Sequence, residues 1–114
     1  TNAFHPLHTH PNTFISIVYY AQCKSGDLYF DVDSSSIREG FNFEYTIDKF
    51  NIYNSSGWTL PVKEGDIVLF PGHIHHGSLP NKSPESRIIV GANFFIKGKI
   101  GSKKAISLIT IKHK

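Results

Sequence analysis

The sequence predicts an all-β domain, and three observations carry that expectation. Aromatic and β-branched residues dominate the apolar content: nine Phe and five Tyr stand among 114 residues, alongside Ile and Val, and such side chains suit a pleated, half-buried surface. Apolar runs are short and are separated by clusters of Gly, Pro, Asn and Ser, the punctuation of strands and turns. No stretch keeps the apolar spacing of a long amphipathic helix. Short strands at regular intervals argue for a sandwich, barrel or jelly roll.

Taken in order, Phe14 to Ala21 is a strongly β-prone run, and Asp27 to Asp31 follows a Ser25-Gly26 turn. Ser34 to Glu39 is the only candidate for a helical turn. Phe41 to Asp48 alternates, with Phe41, Phe43, Tyr45 and Ile47 on one side and Asn42, Glu44, Thr46 and Asp48 on the other, the period of a half-buried strand. Asn51 to Tyr53 and Trp58 to Val62 flank Asn54-Ser55-Ser56-Gly57, a hairpin signal. Asp66 to Phe70 reads as a buried strand, introduced by Glu64-Gly65 and stopped by Pro71-Gly72. Arg87 to Ile96 is a second long run, and Ala105 to Lys112 the last strand. The length fits one domain. The expected division is a core over residues 1–98 and a basic C-terminal strand or tail over 99–114.

Composition excludes several classes. No 18-residue apolar run is present, so no membrane span is expected, and no signal-peptide pattern opens the chain. The single cysteine, Cys23, rules out an intramolecular disulfide and a cysteine-based zinc site. It reads as a buried free thiol in a reducing, cytoplasmic compartment. The net charge of +3 owes much to Lys97, Lys99, Lys103, Lys104, Lys112 and Lys114. With no nucleic-acid motif beside them, these lysines read as a solvated terminal segment rather than a nucleic-acid contact. The chain begins with Thr1 and contains no Met, which reads as a fragment or a processed form.

The histidines carry the chemistry. Of seven, three lie in His5-Pro6-Leu7-His8-Thr9-His10, three in His73-Ile74-His75-His76, and His113 stands apart. On an extended strand, residues i and i+2 project from one face, so His8 and His10 can converge on one ion. A third ligand from a neighbouring strand then leaves coordination sites open, as catalysis requires, and imidazole with oxygen ligands suits non-haem iron. In the second cluster His76 is the favoured ligand, beyond the Asp66–Phe70 strand and its Pro-Gly stop. His73 and His75 are expected to point the other way, and His5 to act as a local hydrogen-bonding residue. The competing reading is a set of surface or hydrogen-bonded histidines.

Three stretches resemble the Fe(II)/2-oxoglutarate-dependent oxygenase superfamily, near a prolyl-hydroxylase-like group common in phage and marine microbes. They are His8-Thr9-His10-Pro11-Asn12 running into Phe14–Tyr20, Gly65-Asp66 through Pro71 with His76-Gly77, and Ser86-Arg87 through Phe94. The resemblance implies a double-stranded β-helix, a cupin-like jelly roll. It also implies Fe(II), with 2-oxoglutarate and dioxygen as cosubstrates, and hydroxylation of an unknown small-molecule or peptide substrate, with a protein side chain such as proline in view.

By the same resemblance His8 and His76 match the family's two histidine ligands, and His10 stands where a carboxylate is usual. The third ligand is therefore His10 or an outside carboxylate such as Asp27 or Asp31. Arg87, eleven residues after His76, matches an arginine that pairs with the distal carboxylate of 2-oxoglutarate; a planar guanidinium does this with two charge-assisted bonds. The alternative for Arg87 is a rim salt bridge. Tyr20 matches a position whose phenol supports the cosubstrate, and Asn93 is a candidate pocket residue. A serine often stands two residues after the family arginine; here it is Ile89.

Two rivals remain. A cupin shares the architecture, but its first motif places a Glu soon after HxH, where this chain has Asn12 to Ser16, and it gives Arg87 no role. A non-catalytic jelly-roll module is favoured by the missing carboxylate and by Ile89, and opposed by His8, His76 and Arg87. Family members carry strands and helices ahead of the metal motif, which here begins at residue 8. The N-terminal elements are thus expected to be missing or replaced by another chain, and a homo-oligomer is expected.

Overall fold

The computed structural model describes residues 2–31, 46–51 and 54–112. Among the described residues nine strands are assigned: β1 (His5–His8), β2 (Ile15–Gln22), β3 (Leu28–Asp31), β4 (Gly57–Leu60), β5 (Ile67–Pro71), β6 (His75–Ser78), β7 (Ile88–Phe94), β8 (Gly98–Ile100) and β9 (Ile109–Ile111). Every pairing is antiparallel. One sheet runs β1-β6-β3-β4, a second runs β5-β2-β7, and β8 with β9 forms a two-stranded hairpin. The all-β reading holds, and the antiparallel sheets are those of a double-stranded β-helix.

The first two sheets meet through Phe30 of β3, Phe70 of β5 and His76 of β6. Phe30 and Phe70 meet edge to face with centroids 5.2 Å apart, and Phe70 lies 4.4 Å from the His76 ring. Tyr20, Cys23, Leu28 and Phe70 are the buried apolar residues around them. Cys23 is free and buried, and loss of hydration raises its thiol pKa.

The register of the second sheet sorts its residues onto two faces. Tyr19 stands opposite Ile67 and Val90, Ile17 opposite Leu69 and Ala92, and Ile15 opposite Pro71 and Phe94. Between them Ser16 stands opposite Phe70 and Asn93, and Val18 opposite Val68 and Gly91. The second set turns toward the first sheet.

Two sequence expectations are corrected. His8 and His10 do not share a strand: β1 ends at His8, and His10 lies in the link that carries the chain from one sheet to the other. Asn12 makes that passage with a left-handed φ of 63°, a conformation Asn adopts more readily than most residues. The hairpin expected across residues 51–62 falls partly outside the described residues, which omit 52 and 53; the described strand β4 pairs with β3. The Asn51 carbonyl accepts bonds from the amides of Asn54 and Ser55 within a local turn. The last strand is shorter than expected, Ile109–Ile111, and folds back on β8. Ser34–Glu39 lies outside the described residues, as does most of Phe41–Asp48; the described end of the latter, residues 46–48, is not strand.

Candidate metal centre

Each histidine of the first cluster is placed by backbone pairing. His8 stands opposite His76 in the β1–β6 ladder, so their side chains leave the sheet on the same face. That pairing needs Gly77, since a Cβ there would lie 2.7 Å from the His5 carbonyl oxygen. The His10 amide donates to the Gly72 carbonyl (2.9 Å), which ties the link to the turn ahead of β6. The three rings converge, with centroids 4.3 Å apart for His8 and His76, and 5.0 Å for His10 to either. One nitrogen from each lies within 4.8 Å of the others. Among the described residues no carboxylate joins this group. Asp31 sits opposite His75, one step out of phase with Phe30 and His76, and so faces away; Asp27 accepts a bond from the Val62 amide (3.4 Å).

Two of the rings are held in the same way. His8 Nδ1–H donates to the Pro6 carbonyl (2.8 Å), and His76 Nδ1–H donates to the Ile74 carbonyl (2.9 Å). A carbonyl only accepts, so the proton sits on Nδ1 and the Nε2 lone pair is left for a cation. Burial pulls the His76 pKa below its ordinary value; the Ile74 bond opposes this, and His8, His10 and His5 reinforce it. The His10 pKa is also lowered, first by burial and then by His8 and His5. Rings that are neutral at neutral pH are the form a metal ion takes. Donor type and spacing therefore fit one transition-metal ion, with His8 and His76 already in the binding tautomer.

The triad opens on a pocket of about 230 Å³ between the two sheets, which Tyr20, Arg87 and Ile89 also line. Arg87 precedes β7 and is held by three neutral acceptors. Its Nη1 donates to the carbonyls of Gly26 (2.8 Å) and Leu79 (3.0 Å), and its Nη2 to Ser78 Oγ (2.7 Å). Gly26 must be glycine: its φ is +93°, and a Cβ would overlap Arg87 Nη1. Among the described residues the guanidinium has no carboxylate partner, so the rim salt bridge is not formed there. Among the described residues, two of its five N–H groups meet no acceptor. Tyr20 is 1% exposed, and its phenol pKa is pushed up to about 12. Burial is the main cause, Cys23, Asp27 and Asp66 add to it, and Arg87 opposes it. The phenol thus keeps its proton and remains a donor.

The Putative 2OG-Fe(II) oxygenase family model matches residues 1–93. The chain belongs to that family. Membership makes it an oxygenase by family and implies Fe(II) and 2-oxoglutarate, which the histidine cluster fits. The match carries the family and not the phage-like source of the resemblance. Comparison with curated proteins gives no match. Among the described residues, no helix is long and apolar enough to cross a membrane.

The structure brings together His8, His10, His76, Tyr20 and Arg87 around one pocket. Asn93 sits differently, with its carboxamide between Ser16 and His10. His5 packs edge-on to His8 at 4.4 Å and lines the pocket without joining the ligand group. Sequence reasoning missed Ser78 and Ser16. Ser78 lies two residues beyond His76 on an extended strand, a spacing that already placed it on the same face. Ser16 is a polar residue in phase with Val18 and Tyr20.

Proposed function

We propose that His8, His10 and His76 hold one Fe(II), and that Arg87 and Tyr20 receive the distal carboxylate of 2-oxoglutarate. On this reading the protein hydroxylates a C–H bond of a protein or peptide side chain, with proline among the candidates. Bound iron would supply the activation of dioxygen, coupled to loss of carbon dioxide from 2-oxoglutarate. The chain's own residues do the rest. His8 and His76 arrive with their Nε2 lone pairs exposed, Arg87 offers fixed positive charge, and Tyr20 a protonated phenol. The observation that carries the proposal is the convergence of three imidazoles on a pocket whose arginine has no carboxylate partner among the described residues. Support for a peptide side chain is the prolyl-hydroxylase-like group that the motifs resemble.

The test is an anaerobic Fe(II) titration with and without 2-oxoglutarate, read by the weak visible charge-transfer band of the chelate. The expected result is a band that His76→Ala abolishes by removing iron, while Arg87→Ala weakens only 2-oxoglutarate binding. Iron binding with no band at any 2-oxoglutarate concentration would remove the cosubstrate from the proposal and favour a cupin-like or non-catalytic site.

We propose in addition that the protein self-associates through the outer face of the β5-β2-β7 sheet. Support comes from the apolar side chains there, of which Ile67 and Leu69 are each 60% exposed. A contiguous apolar patch of this kind is uncommon on a monomer.

A further inference from the structure

Among the described residues, His10 is the ligand whose ring meets no backbone carbonyl. Its Nδ1 lies 3.3 Å from Asn93 Nδ2, and the same carboxamide meets Ser16 Oγ through its oxygen at 2.9 Å. In that arrangement the Asn93 amino group donates to Nδ1, so a neutral His10 carries its proton on Nε2. That is the opposite tautomer from His8 and His76, and it leaves Nε2 without a lone pair for a cation.

A carboxamide has two orientations of nearly equal shape, related by exchange of its oxygen and its amino group. Turned over, Asn93 Oδ1 accepts from His10 Nδ1–H, and its amino group donates to Ser16 Oγ. Ser16 permits both arrangements because a hydroxyl both donates and accepts. Ser16 is fully buried, and among the described residues its hydroxyl has no other bond to break. Asn93 is exposed on its other side, so reversal requires no repacking.

We infer that Asn93, backed by Ser16, is a positioning residue that reverses to hold His10 in its metal-binding tautomer and thereby lets an imidazole stand where the family's carboxylate is usual. This rests on the three-histidine metal site proposed above. It also changes the expectation for Asn93, from a residue touching the cosubstrate to one acting through a ligand. Groups that orient metal-bound histidines by their second nitrogen typically change affinity by about 10- to 100-fold when lost.

The experiment uses Zn(II) as a diamagnetic probe on the full chain. Affinity is measured by calorimetry, and the His10 tautomer by long-range nitrogen–proton correlation spectra, for wild type, Asn93→Leu and Asn93→Asp. The aspartate can only accept, so it enforces Nδ1–H. The expected result is that zinc moves the His10 proton to Nδ1 in the wild type. Asn93→Leu then loses about 10- to 100-fold in affinity, and Asn93→Asp restores it with Nδ1–H already present before zinc is added. Wild-type affinity in Asn93→Leu, or Asn93→Asp failing to restore the loss, would overturn the role of Asn93 while leaving the triad standing. No zinc binding by the wild type would overturn the triad, and this inference with it. Retained amide dispersion in each variant separates a lost ligand orientation from a lost fold.

Discussion

The two faces of the β5-β2-β7 sheet are built from the same strands and do opposite things. The inner face presents Ser16, Val18, Tyr20, Phe70 and Asn93 toward the pocket and its ligands. The outer face presents Ile15, Ile17, Tyr19, Ile67, Leu69, Pro71, Val90, Ala92 and Phe94, all apolar or aromatic. Hydrophobicity therefore does not mark the functional face of this sheet. Polar groups on a buried face do, because each needs a partner or a ligand to justify its loss of water. The outer face teaches something else: near-continuous apolar runs are written for strands covered on both sides, and here one side is open to solvent.

The comparison breaks most visibly at Tyr20. Replacement by alanine removes a fully buried ring and should destabilise the fold by about 3–5 kcal/mol, measured by denaturant unfolding. Tyr20→Phe keeps the ring, and should leave stability within about 1.5 kcal/mol while raising KM for 2-oxoglutarate more than it lowers kcat. Next in size is Arg87→Lys. An ammonium keeps the charge but cannot reproduce a guanidinium held by Gly26, Ser78 and Leu79. The expected loss in 2-oxoglutarate binding is about 1.5–3 kcal/mol, read by titration of the charge-transfer band.

A smaller effect follows from the histidines. His10 and His76 titrate below their ordinary value when folded, so the unfolded chain takes up protons first as the pH falls. Their contribution to stability is complete above about pH 6.5 and is lost as pH drops toward the folded-state values. Thermal unfolding of the metal-free protein should show a Tm that falls below pH 6.5, with a shallower fall in His76→Gln. The smallest effect on folding belongs to the outer face. Leu69→Lys should change monomer stability by no more than about 0.5 kcal/mol, yet shift the mass seen by light scattering toward the monomer. A protein that is monomeric before the substitution would sink the self-association proposal.

Much of this was legible in the chain because the site is written in residue types with few structural uses. His8, His76, Tyr20 and Arg87 were singled out from spacing and resemblance, and the structure gathers them around one pocket; the alternation expected across His73–His76 does not extend to His73 and Ile74, which form a turn ahead of β6. What stayed hidden is non-local. The two-residue spacing of His8 and His10 looks the same whether both sit on one strand or the chain changes sheets between them; Asn12 and the β1–β6 pairing decide it. The pairing of β4 with β3 was hidden for the same reason, since a turn signal says where a chain bends and not which strand it meets. Ser16 and Ser78 are ordinary residues until the register shows what stands across from them.

The place of His8 in the fold has a mechanical side. It closes β1, a four-residue strand at the margin of its sheet with β6 as its neighbour there, where fraying begins. The cavity's wall is thus a hinge pin that is seated only while the margin stays zipped. An ion shared by His8, His10 and His76 would rivet β1, β6 and the intersheet link at a single point. Amide protons of β1 should then exchange with solvent far more slowly when the ion is bound than when it is absent, so that a strand at the sheet's margin reports directly on whether the centre is filled.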